Sequence, residues 1–220
     1  VTNLELTAAY AAIVNNGIYN KPVLYTQVVE NSGKILLDNT TPKSHKVIKA
    51  STAALLTEAM QDVVNGNGTG TPANVKDMHV AGKTGTTSNQ YDLWFAGFTP
   101  YLTASIWTGY DENEDLGYDV FYHEELWSKI MTQIDEAFGY EDKEFEFDLS
   151  GDEDVVGVEV CKDSGLLPNG DACKDTEVKY FSVEDAPEKK CNKHGVQYKE
   201  TTKSESSDEG KSDKDDSGDD

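Results

Sequence analysis

The sequence predicts an α/β (α+β) fold, an antiparallel sheet flanked by helices and followed by a small loop-rich extension. Three observations carry that expectation. Apolar residues recur at helical spacing at the start of the chain and again around residues 51–64 and 124–138. Three short apolar runs bounded by turn residues lie between the last two of these. The link between the second and third run is so short that antiparallel neighbours are favoured.

The first helix is placed within residues 1–17. Thr2 and Glu5 fit the S/T-x-x-E capping box, in which each residue satisfies a free donor of the other. Leu4, Leu6, Ala9, Tyr10, Ile13 and Val14 form a broad apolar face, and Gly17 after Asn15 and Asn16 supplies a stop. Residues 23–29 and 35–37 flank Asn31, Ser32 and Gly33 as a hairpin. A second helix starts near Ser51, with Leu55, Leu56, Val63 and Val64 as its expected core face, and ends in a Gly-rich loop at 65–70. Strands are expected over about 78–86, 93–98 and 102–110, with Thr99 and Pro100 closing the second. The last helix, about 124–138, is expected to turn Leu126, Trp127, Ile130, Ile134 and Phe138 inward.

Charge narrows the function. The 220 residues carry 41 acidic and 19 basic side chains, for a net charge of −22, and every basic residue is Lys. A nucleic-acid binder needs a basic footprint and usually Arg forks, so that class is excluded. No apolar run reaches the roughly 18–20 residues of a membrane span. The chain opens on Val1 and shows no signal peptide, which suggests a piece of a longer protein or a processed one. The acid is uneven: residues 111–154 hold 17 acids against 2 lysines, and residues 201–220 hold 8 against 3. The organisation read from this is a folded part at 1–140, an acidic linker at 141–154, a small Cys-containing module at 155–195 and a tail at 196–220. The tail is too polar to offset chain entropy and is expected to be disordered.

The densest chemical signal is Gly82-Lys83-Thr84-Gly85-Thr86-Thr87. A phosphate-binding P-loop also contains Gly-Lys-Thr, but it needs a glycine where this chain has Asp77, and it opens a helix where this chain has Gly85. The other reading is the Lys-Thr-Gly strand of penicillin-recognising serine enzymes. Side chains alternate along a strand, so Thr84 and Thr86 share one face and can offer two hydroxyls to a substrate carboxylate, with Lys83 adding positive potential. Gly85 removes a side chain where another backbone must approach closely. The Thr86 N–H could serve as half of an oxyanion hole. A tetrapeptide of this kind also occurs as an inert strand, so its context decides.

That context is ordered. Residues 1–19, then Gly68-Thr69-Gly70, then Ala81 to Asn89, then Asp92-Leu93-Trp94-Phe95-Ala96-Gly97-Phe98-Thr99-Pro100 follow one another. In this order they resemble the C-terminal half of the transpeptidase domain of class A (bifunctional) penicillin-binding proteins. The likeness covers about residues 1–138, with 155–195 resembling an extension seen after that domain. It implies a β-lactamase/transpeptidase-like fold, incomplete at the N-terminus, in a serine D,D-transpeptidase that cross-links peptidoglycan stem peptides and binds β-lactams. It assigns Lys83 and Thr86 to catalysis and Thr84, Gly85 and Thr86 to the donor carboxylate, with no cofactor and no metal. It also implies a place on the extracytoplasmic face of the bacterial membrane, tethered by an N-terminal anchor that is not in this sequence. Trp94 and Phe95 are read as packing residues. A D,D-carboxypeptidase, a β-lactamase and a non-catalytic wall-peptide-binding module are the alternatives.

The chain departs from the family in one respect. None of its serines is followed three positions later by Lys or two positions later by Asn, so the S-x-x-K and S-x-N motifs are absent. The nucleophile is expected upstream, and the 220 residues alone are expected to be inactive. Among the remaining candidates, one disulfide with a third free or intermolecular thiol is the favoured reading of Cys161, Cys173 and Cys191. A Cys3His zinc site with His194 competes, although only the Cys191-x2-His194 pair has zinc spacing. His79 reads as a satisfied histidine rather than a base. The acid cluster around Asp111–Asp115 reads as a solvated loop, since it lacks the calcium-loop pattern.

Overall fold

The computed structural model describes residues 1–66, 68–117 and 120–195. Helix α1 (Asn3–Val14) starts at the expected capping box: Thr2 Oγ1 accepts the Glu5 N–H at 3.2 Å, and Glu5 Oε2 accepts the Thr2 N–H at 2.8 Å. The chain leaves α1 through Asn16 and Gly17, both in left-handed backbone with φ of 57° and 74°. A side chain at Gly17 would run into the Ile48 carbonyl, so glycine is required there. Strand β1 (Ile18–Asn20) follows. Next come β2 (Gln27–Val29) and β3 (Ile35–Asp38), which form the expected hairpin around Gly33, and β4 (Ser44–Lys46) then returns to pair with β1. The hairpin is shorter than its apolar pattern suggested. Its ladder ends with Gln27 opposite Asp38, whose carboxylate accepts the Thr40 N–H at 2.9 Å and turns the chain.

The central sheet is three antiparallel strands in the order β5 (Ala81–Thr86), β6 (Asp92–Phe98) and β7 (Thr103–Gly109). Thr99 Oγ1 closes the short β6–β7 turn by accepting the N–H groups of Tyr101 and Leu102, both at 3.2 Å. Register places Lys83 opposite Ala96, Thr84 opposite Phe95, Gly85 opposite Trp94 and Thr86 opposite Leu93. On one face, Ala81 and Phe98 pack with Met60 of helix α2 (Ala50–Val64) and with Tyr10, Ile13 and Val14 of α1. On the other, Phe95 packs with Trp127 and Met131 of helix α3 (Tyr122–Phe138). This is the antiparallel sheet with flanking helices that the sequence predicts.

Phe95 is the centre of that second face. It is fully buried, and its ring meets Trp127 edge-on with centroids 5.1 Å apart. The ring lies over Gly82 and Gly97: a Cβ at Gly97 would sit 2.7 Å from Phe95 Cε1, and one at Gly82 would collide with Cζ. Gly82 and Gly97 thus make room for one aromatic ring.

Two helix faces differ from the expectation. In α2 the inward residues are Ala50, Ser51, Ala53, Ala54, Thr57, Met60 and Val64; Leu55 is half-buried and Leu56 exposed. Small residues let the helix lie close against β5, and a leucine in their place would hold it off. In α3 the inward stripe is His123, Glu124, Trp127, Met131 and Asp135, while Leu126, Ile130 and Phe138 are exposed. Trp127 sets this rotation: its ring is held by Phe95, and its Nε1–H donates to the Ala104 carbonyl at 3.0 Å.

Residues 141–154 form neither helix nor strand, yet Phe145 among them is buried against Phe98 with centroids 5.5 Å apart. Beyond them, β8 (Val155–Cys161) and β9 (Thr176–Ser182) pair as an antiparallel hairpin. Tyr180 ties it down: its N–H donates to Glu58 Oε1 of α2 at 3.0 Å, and its hydroxyl accepts the Phe147 N–H at 3.1 Å. The expected disordered tail at 196–220 lies outside the described residues.

Truncating Phe95 empties the space its glycines define. Phe95→Ala is expected to cost about 3–5 kcal/mol, whereas Leu56→Ala is expected to cost less than about 1 kcal/mol. Urea midpoints of the two variants check the ranking, and equal losses would contradict it.

Candidate active site

Strand β5 pairs with β6 on one side only, so its other edge carries no strand among the described residues. The Thr87 N–H donates to the Asp92 carbonyl at 3.1 Å. Backbone groups alternate along a strand, so the Thr86 N–H points the other way, out of the free edge. Thr84 and Thr86 share a face, as their spacing requires. Both line a groove of about 290 Å³ with Thr69, Gln90, Leu93, Phe121, His123 and Glu124. The Gly-rich loop places Thr69 so that its hydroxyl and that of Thr84 are hydrogen-bonded at 3.0 Å.

Lys83 and Gly85 fall on the opposite face. Lys83 is exposed, and its ammonium curls back over the strand edge to donate to the Thr84 carbonyl at 3.0 Å and to Thr84 Oγ1 at 3.3 Å. The cation therefore sits beside the two-hydroxyl face despite its parity. At Gly85 the neighbour of an added Cβ would be Trp94 Cβ across the ladder, at 3.2 Å. Trp94 is half-buried and stacks obliquely on Trp107 with centroids 6.3 Å apart; Phe95 is core. Both pack, as expected. His79 lies before β5, outside the groove, and its Nδ1 is hydrogen-bonded to Asp142 Oδ1 at 2.7 Å. It is the satisfied histidine the sequence suggested.

The residues sequence reasoning missed are His123 and Glu124. Both are buried at the start of α3, with His123 Nε2 3.5 Å from Glu124 Oε1. Gln90 Oε1, His123 Nδ1 and Glu124 Oε2 have no protein partner, so three polar atoms of groove-lining residues are left without a bond. Burial pushes the Glu124 carboxyl up to about 7, opposed by the positive charge of Lys83. Burial also lowers the His123 imidazole, opposed by the nearby Trp94 backbone. The missed signal was rotational: a helix face drawn through Trp127 and Met131 passes through Glu124 and His123 one turn earlier.

The arrangement offers two hydroxyls, a cation and an outward N–H along one open strand edge, with a near-neutral acid behind them. It can hold an extended, carboxylate-bearing chain and stabilise a developing oxyanion.

Solved penicillin-binding proteins share this architecture. The chain matches penicillin-binding protein 1A from Haemophilus influenzae with a TM-score of 0.60 at 21% identity, covering 87% of this chain and 33% of that one, a likeness of fold. It matches PonA1 from Mycobacterium tuberculosis with a TM-score of 0.58 at 25% identity, covering 66% and 40%. Residues 1–132 match the family described as the penicillin binding protein transpeptidase domain, and residues 152–196 match the penicillin-binding protein 1A C-terminal domain. The chain belongs to the penicillin-binding protein transpeptidase family. Penicillin-binding protein 1A of Clostridium acetobutylicum is 41% identical over 126 residues, 57% of this chain and 16% of the relative. That of Clostridium perfringens is 33% identical over 195 residues, 86% of this chain and 23% of the relative. The chain thus spans about a fifth of the length of the curated relatives it matches. No helix among the described residues is long and apolar enough to cross a membrane.

Glu124 carries a pH signature. Its folded pKa lies above the ordinary value of 4.5, so its share of stability is intact below about pH 4.5 and is lost as pH rises through about 7. Glu124→Gln is expected to remove that loss, gaining up to about 3 kcal/mol over the parent above pH 7 and little at pH 4. Thermal melts across pH 4–8 check this; a pH-independent gap between the two proteins would exclude it.

Proposed function

We propose that β5 is one wall of the donor site in a serine D,D-transpeptidase that cross-links peptidoglycan stem peptides and is acylated by β-lactams. The observation that supports this reading is the open β5 edge, with the Thr84 and Thr86 hydroxyls on one face, the Lys83 ammonium beside them and the Thr86 N–H directed outward.

In this reading the hydroxyls of Thr84 and Thr86 hold the terminal carboxylate of the donor peptide, and Lys83 supplies positive potential and hydrogen bonds. A serine from outside these 220 residues attacks the penultimate D-Ala carbonyl. The carbonyl oxygen becomes an oxyanion stabilised by the Thr86 N–H, and the C–N bond to the terminal D-Ala breaks as that amine takes up a proton. The acyl group then passes from serine to an amine of a neighbouring strand, which gives up a proton, and the serine hydroxyl is restored. A β-lactam enters as a donor whose ring amide opens on the same serine. The protein works on the extracytoplasmic face of the membrane. The solved complex of PonA1 with penicillin V supports β-lactam binding in a relative of the same fold.

The test is acylation of the full-length protein by a fluorescent penicillin. A single adduct on a serine outside residues 1–220 is expected, and this chain alone is expected to take no label. Thr84→Ala and Thr86→Ala are each expected to slow acylation roughly 10- to 100-fold, the worth of one hydrogen bond to a charged group. A folded full-length protein that takes no label, or an adduct unaffected by either threonine, would overturn the reading.

A further inference from the structure

The hairpin after the sheet holds a second constellation. Cys161 ends β8, Cys173 follows a short 3-10 turn at Gly170–Ala172, and Cys191 and His194 lie in the segment after β9. The favoured disulfide is not formed: all three cysteines are free, and all three are buried. Their sulfurs and a His194 ring nitrogen lie within 4.8 Å of one another. Cys161, Cys173 and Cys191 Sγ are 3.4, 3.5 and 3.5 Å from His194 Nδ1, and Cys191 Sγ is 3.6 Å from Cys161 Sγ.

These are the edges of a metal tetrahedron. Zn–S bonds of about 2.3 Å and a Zn–N bond of about 2.0–2.1 Å at tetrahedral angles put sulfurs about 3.8 Å apart and sulfur about 3.6 Å from nitrogen. A disulfide among these residues would use two sulfurs and leave the third sulfur and the imidazole converging on nothing. The surroundings fit a metal as well. His194 Nε2, the nitrogen turned away from the sulfurs, is 3.0 Å from Asp163 Oδ2, the carboxylate partner that orients a ligating imidazole. The Asn169 N–H donates to Cys173 Sγ at 3.3 Å, and Asn169 Nδ2 donates to the His194 carbonyl at 3.0 Å. The three cysteines pack together as one buried cluster, apart from the buried Val155 and Val160 of the same hairpin. A small module with so few buried apolar side chains is commonly stapled by disulfides or a metal.

The geometry points to a structural zinc site formed by Cys161, Cys173, Cys191 and His194 Nδ1, closed by four protein ligands and remote in chemistry from the β5 groove. This replaces both the favoured disulfide and the expectation of no metal. It does not depend on the transpeptidase reading.

The test uses the full-length protein, purified without added reductant or chelator. One equivalent of tightly held zinc is expected by elemental mass spectrometry. Exchange with Co²⁺ is expected to give the intense visible bands of tetrahedral cobalt and a sulfur-to-cobalt charge-transfer band. Cys191→Ser is expected to lose the metal. His194→Cys is expected to keep it and to shift the cobalt bands toward an all-sulfur site, which guards against a serine variant that merely unfolds. A parent chain without zinc and lighter by two hydrogens would assign a disulfide and overturn the proposal. A cobalt complex without charge transfer, or a folded Cys191→Ser that retains zinc, would overturn it as well.

Discussion

The packing of Phe95 governs how the candidate site is held. One aromatic ring occupies the volume that Gly82 and Gly97 leave free, and Trp127 closes it from the helix side. Aromatic rings are rigid and large, so a ring seated on bare backbone fixes the relative height of β5 and β6 to within an ångström or so. The same contact turns α3, because Trp127 cannot reach both Phe95 and the Ala104 carbonyl in any other rotation. With α3 turned in this way, His123 and Glu124 line the groove rather than meeting solvent. The site's electrostatics follow from a packing decision made some residues away.

The groove gathers polar side chains from four places along the chain. The Gly-rich loop after α2 brings Thr69, β5 brings two hydroxyls, the β5–β6 turn brings Gln90, and the start of α3 brings an acid. Rigid elements carry the threonines and Glu124, and a loop carries Thr69, which is anchored on Thr84 by a hydroxyl contact.

Much of the scaffold was legible in the residue pattern. The capping box at Thr2 and Glu5, the Gly33 hairpin and the three central strands are local signals, and local physics decides them. The two helix faces were not. Hydrophobicity alone favours Leu55, Leu56, Leu126 and Ile130 as core, but the space available beside β5 admits alanines, and Trp127 sets the turn of α3. The Lys83 to Thr86 run was legible because a strand's alternation places hydroxyls without knowledge of the rest. Glu124 was illegible because its environment is built by residues distant in sequence. The cysteines were misread for a related reason. Their long separations carry no metal spacing, and only the β8–β9 hairpin folds Cys161 back beside Cys173 and Cys191.

An open strand edge is a hazard as well as a tool. A row of unpaired backbone donors and acceptors will pair with any extended segment that arrives, including one from another copy of the same protein. Two features of this chain limit that reaction. The β5 strand is only six residues long and carries an exposed lysine in its middle. The chain as a whole bears a net charge of −22, so two copies approaching edge to edge repel strongly at low ionic strength. Colloidal behaviour thus follows from the edge: added salt screens the one long-range force that keeps two such strands apart, and the protein's solubility should be more salt-sensitive than its folding.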